Sequence, residues 1–261
     1  VNLALALRLA LAPSLVGLAT IAARRWGVAA GGWAAATPVV AGPVLLVFAS
    51  DHGERFGSQA ASSATVGLVS LAIFTTVYAR TARSGLAWPL CLLSGWAAFI
   101  VTTIPLSFLA IPTPFALLLA LAGFALCRKA LGEGASVAGS GRRLPADIPL
   151  RMLAAFALVL VLSVVAGTLG PRTSGLIAPF PIIGSVMAAF THVTRGRESL
   201  HAYTEALLRG LPSFALFTAT VAVALEPLGT GGAFLLATLV SAMSHTTLIA
   251  LYHDRLRLEA G

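Results

Sequence analysis

The chain has 261 residues, of which 58% are hydrophobic and only 10% charged, with a net charge of +8. Soluble domains carry about a quarter charged residues, so this composition excludes an ordinary soluble domain. Apolar runs of about 20 residues recur along the whole length and predict an all-α, polytopic helical membrane protein. The excess of 17 Lys and Arg over 9 Asp and Glu does not argue for nucleic acid, because the basic residues stand at the ends of the apolar segments, where they anchor topology and headgroups.

About nine transmembrane helices are predicted, at 2–23, 27–49, 59–80, 86–107, 112–130, 149–168, 173–193, 204–225 and 231–252. The first resembles a signal peptide in its single Arg8 and its small residues Ala19, Ala22 and Ala23. Its counterpart at 149–168 is internal, so it is kept as a span of the mature protein. Gly132 to Arg143, rich in Gly, Ala and Ser, reads as a flexible linker. Cys91 and Cys127 fall within apolar segments and read as small packing residues.

With the N-terminus outside, the cytoplasmic connections hold Arg24, Arg25, Arg80, Arg83, Arg128, Lys129, Arg142, Arg143, Arg195, Arg197, Arg255 and Arg257. The outer connections then hold only Arg55 and Arg172. This asymmetry predicts an N-out, C-in topology.

The segment from Gly67 to Thr75 recurs from Gly210 to Thr218, 143 positions on. The same offset carries Leu7-Arg8 onto Leu150-Arg151, Gly27 onto Gly170, Gly32 onto Gly175 and Pro38 onto Pro181; after a one-residue gap, Gly42 falls on Gly184. Spans 1–4 therefore match spans 6–9, with span 5 unmatched. Five spans separate equivalent positions, so the two copies must face opposite ways: two inverted-topology repeats. The expected divisions are a first repeat with the extra span (1–131), a cytoplasmic linker (132–146) and a second, inverted repeat (147–261).

Spans 2 and 7 are the least helix-like. One holds Thr37, Pro38, Gly42 and Pro43; the other holds Pro179, Pro181, Gly184 and Ser185. Pro removes an amide donor and Gly loosens the backbone, so both spans are expected to break near their middles. Matched broken helices in inverted halves point to a binding site at the midplane; close helix packing through kinks is the plainer alternative. Ser70, Thr75, Ser213 and Thr218 form two duplicated pairs. Their ordinary role is a hydrogen bond to a carbonyl one turn back, and their functional one is to line a polar path. His245 is the deepest ionisable residue, suited to a proton relay or to a packed neutral ring.

No carboxylate stands at mid-depth, which argues against carboxylate-based proton or sodium coupling. There is no His-Glu metal motif, no Ser-His-Asp set at one depth and no phosphate loop, so neither an enzyme nor a cofactor is expected. Asp51, His52 and Glu54 read as a solvated turn rather than a metal site.

The run Ser174-Gly175-Leu176-Ile177-Ala178-Pro179-Phe180-Pro181, followed by Gly196, Arg197, Glu198, Ala206-Leu207-Leu208, Gly210 and Phe217, resembles the GlpM family of small bacterial inner-membrane proteins. The likeness covers roughly 150–252, with a fainter echo in 8–105, as if two such units were fused and inverted. Ala178 and Pro179 depart from the family's Gly-Leu-x-Pro-Leu-Phe-Pro segment. The resemblance implies multi-pass residence in the bacterial cytoplasmic membrane and an association with alginate production, and it assigns no ligand residues. The expected function is a secondary transporter or exporter of a small polar or anionic solute. The rival is a non-transporting accessory or scaffold subunit of an envelope or exopolysaccharide system. The expected partners are the lipid bilayer and a small-molecule solute, with a second copy of the chain or an envelope protein left open.

Overall fold

The computed structural model describes residues 3–132, 147–165 and 171–260. Among them every regular element is an α-helix: α1 (Leu3–Arg25), α2 (Val28–Ala35), α3 (Ala41–His52), α4 (Glu54–Arg83), α5 (Trp88–Ser107), α6 (Thr113–Leu131), α7 (Asp147–Val165), α8 (Pro171–Ile177) and α9 (Ile182–Ala260). Gly196 and Gly229, with φ of 79° and 67°, divide α9 into three rods at 182–195, 197–228 and 230–260. Only glycine takes that left-handed conformation without strain. Four stretches, Glu54–Arg83, Trp88–Ser107, Thr113–Leu131 and Thr173–Tyr252, are long and apolar enough to cross a membrane.

The side-chain distribution suits a bundle in contact with lipid, as the candidate spans suggest. Leu93, Val101, Phe115 and Leu126 of α5 and α6 are each more than half exposed. The interior instead holds Ala60, Ala61, Ala64, Ser70, Ala72, Thr75, Ser213, Ala215 and Thr218. Where lipid supplies no hydrophobic drive between helices, small residues allow close approach and hydroxyls bond within the bundle. α4 lies at the centre: 30 residues, about 45 Å long, packed against α5, α6, α8 and α9.

The two ends of α4 differ in charge. At its C-terminal end Arg80 donates to the Ala130 carbonyl at 2.8 Å and Arg83 to that of Leu131 at 2.6 Å. Arg24 pairs there with Asp147 at 2.8 Å, and the Arg197 guanidinium lies beside Gly85. At the other end, Glu54 Oε1 lies beside Gly229, and His52 stacks on Phe56 with ring centroids 4.6 Å apart.

The stretches between the expected spans at 50–58, 194–203 and 226–230 are helical except at Gly53, Gly196 and Gly229. Polarity marked where the chain meets water, whereas a helix runs on until its own hydrogen bonds are interrupted. Gly53, with φ 89°, and Gly196 stand 143 positions apart, so the turn itself recurs. The expected linker beyond Gly132, and Gly170, lie outside the described residues.

Helix contacts recur at the same offset. A Cβ on Gly32 would fall onto the Tyr203 carbonyl oxygen, and one on Gly175 onto that of Ala60. On Gly67 it would stand 2.5 Å from the Leu176 oxygen and 2.9 Å from Pro179; on Gly210, 2.5 Å from Ala36 and 3.2 Å from Trp33. Gly42 meets the ring of Phe217, and Gly184 that of Phe74. Each of these pairs joins one half of the chain to the other, at positions equivalent to those of its partner pair.

Candidate functional site

Both expected breaks are present. α2 ends at Ala35 and α3 begins at Ala41; α8 ends at Ile177 and α9 begins at Ile182. The local bonding is the same on both sides. The Gly42 amide donates to the Pro38 carbonyl at 2.7 Å, and the Ser185 amide to the Pro181 carbonyl at 2.7 Å. Each proline thus stands where its missing amide costs no helical bond, and its carbonyl starts the next helix. Thr37 Oγ1 caps its own break by donating to the Ala34 carbonyl at 2.7 Å.

The two breaks share a cavity of about 40 Å³, lined by Thr37, Val40, Pro179, Pro181 and Gly184, with Leu71 and Phe214 at matched positions on its walls. Among the described residues, no ionisable side chain lines it. About 15 Å³ admits one water, so this space holds one or two and no larger solute. Ser185 lies just behind it, accepting the Trp96 indole N–H at 2.9 Å. Pro38 and Pro43 flank the first break, both half-buried.

The remaining expected residues are held by hydrogen bonds within or between helices and do not line this cavity. Thr103 donates to Ser70 at 2.9 Å. Ser213 donates to the Gly210 carbonyl at 2.7 Å and lies 2.8 Å from His245 Nδ1. Thr75 donates to the Leu71 carbonyl, and Thr218 to those of Phe214 and Ala215 while accepting from Thr65 at 2.8 Å. His245 also sets its ring edge-on to Trp33, centroids 5.4 Å apart. Trp96 and Trp33, which sequence reasoning did not single out, thus fix Ser185 and His245; their one signal was a large ring amid Ala and Gly.

Charged chemistry gathers at the basic end. The Asp147 carboxylate accepts from Arg151 and Arg24, each at 2.8 Å. Burial alone would raise its pKa, but these two hydrogen-bonded cations outweigh burial and hold it below the usual carboxylate value. Burial, and then the charge of Arg83, hold the His201 imidazole below its ordinary value, against the opposing pull of Glu205. Among the described residues, the buried hydroxyls of Tyr78 and Tyr203 have no hydrogen-bond partner. Among the described residues no three His, Cys, Asp or Glu side chains converge as metal ligands would.

The fold and site define an all-α chain with several candidate membrane spans and a small uncharged cavity between two broken helices. Comparison with protein-family models, with curated proteins and with solved structures gives no match.

Proposed function

We propose that the chain is a multi-pass protein of about nine spans in the bacterial cytoplasmic membrane, N-out and C-in, built from two inverted repeats. In this reading it moves a small polar solute between them. The observation that carries the proposal is the cavity shared by the two breaks, one from each half, with the same proline-carbonyl bond on either side. The contacts that recur 143 positions apart support the repeats, and the gathering of arginines at one end supports the orientation. Broken helices free backbone groups inside a membrane only where protein or water meets them, and here they face a space that admits water. A cavity this small belongs to a closed arrangement, so transport requires the halves to move. The likeness to GlpM adds only the expected membrane.

The test is solute-driven swelling of proteoliposomes, read by light scattering, over a panel of small polar and anionic solutes. Transport predicts that at least one solute enters faster than into protein-free vesicles. Pro38→Ala and Pro181→Ala should abolish that entry while the protein stays folded. Absence of entry for every solute, with a stable envelope protein co-purifying, would favour the accessory-subunit reading.

A further inference from the structure

Near the N-terminal end of α4, opposite Arg80 and Arg83, a crevice of about 300 Å³ opens between α4, α8 and the connection from α5 to α6. Gln59, Ser62 and Ser63 supply its polar wall; Val66, Leu109 and Leu176 supply much of its apolar one. None of the described residues lining it is ionisable. Its floor, Leu176, stands two residues from Ala178, which lines the cavity between the breaks.

The 143-residue offset carries Ser62 onto Glu205 and Val66 onto Arg209, and it carries Leu109 onto Tyr252 and Trp33 onto Leu176. At the basic end these four counterparts touch one another. Arg209 binds Glu205 at 2.6 Å and sets its guanidinium 4.6 Å from the centre of the Tyr252 ring. Tyr252 in turn lies 6.1 Å from Trp33, itself nearly fully buried. Small side chains leave a space at one end, and large ones fill its equivalent at the other.

We infer that the crevice is a vestibule binding a small uncharged polar molecule through Gln59, Ser62 and Ser63, and that the Trp33–Tyr252–Arg209–Glu205 stack is the closed gate at the opposite mouth. This rests on the transport reading. Hydroxyl and amide groups offer donors and acceptors without net charge, and the described lining residues include no cation to repay an anion for its lost water. In inverted halves, one mouth is open while its equivalent is shut, and the two arrangements exchange.

The test uses Ser63→Cys and its equivalent Ala206→Cys, each labelled from either face by a membrane-impermeant thiol reagent, with Ala202→Cys as a second reporter should A206C fail to fold. Cys91 and Cys127 are buried and give the background. S63C should label at least about tenfold faster than A206C; adding Arg209→Ala should raise A206C labelling about tenfold, the effect of losing one ion pair and one cation–π contact. Glycerol, urea or a monosaccharide should slow S63C labelling, whereas phosphate and acetate should not. Equal labelling of the two sites, no effect of R209A, protection by the anions, or protection by none of these probes would overturn the inference. Gated, protected labelling without any solute flux would instead retain the vestibule and refute transport, and flux without gated labelling would do the reverse.

Discussion

Replacing Gly32 or Gly175 by alanine tests the packing that brings the two breaks together. At either position the new methyl would occupy the place of a backbone carbonyl oxygen, of Tyr203 in one case and Ala60 in the other. Its next neighbours would be Ala206 Cβ at 2.9 Å and the Ala60 carbonyl carbon at 2.8 Å. Those atoms belong to helices and cannot rotate aside, so the crossing must open by about 1 Å, which forfeits a quarter to a half of each contact along it. Overpacking costs about 1–3 kcal/mol, and a clash with backbone belongs at the upper end, about 3 kcal/mol at each site. Gly231, helical and facing open space, is the control; alanine there should be neutral or stabilise by up to about 1 kcal/mol. Equilibrium unfolding in mixed micelles, followed by tryptophan fluorescence, reads the difference. Losses below about 0.5 kcal/mol for both G32A and G175A would refute the crossing geometry, since surface substitutions cost that much.

Asp147→Asn leaves the buried Arg151 without its counter-charge and should destabilise the protein by about 3–5 kcal/mol in the same assay. Because the Asp147 carboxyl is held below its usual value, its stabilising effect should be constant through neutral pH and vanish only as pH falls below about 4, a limb that D147N should lack. Thr75→Val and Thr218→Val should each cost about 0.6 kcal/mol, as ordinary membrane hydrogen bonds do, and a loss of solute entry from either would promote it to the site. Trp96→Phe removes the donor to Ser185 and should lower solute entry in vesicles more than it lowers the unfolding free energy.

Local signals carried far in this chain. Thr37-Pro38 and Pro179 to Pro181 announced both helix interruptions, because a missing amide acts on its own turn whatever surrounds it. The polar stretches around Asp51 and Arg197 hold the turns at Gly53 and Gly196 and are otherwise helical, since a polar helix is still a helix. What lay beyond the sequence was the meeting of distant segments. That Tyr203 receives Gly32, that Trp96 reaches Ser185 and that Arg209 covers Tyr252 depends on helix crossings that no local pattern encodes. The repeat offset was the one long-range signal, and contacts such as Gly32 to Tyr203 and Gly175 to Ala60 recur at it.

Glu54 and Arg197 stand at equivalent positions after the matched glycine turns, and inverted halves would place them at opposite faces of the membrane. Glu54→Cys and Arg197→Cys, labelled by an impermeant thiol reagent in sealed right-side-out and inside-out vesicles, test that arrangement directly. Opposed halves predict labelling of E54C only from outside and of R197C only from the cytoplasmic face; labelling of both from one face would contradict it.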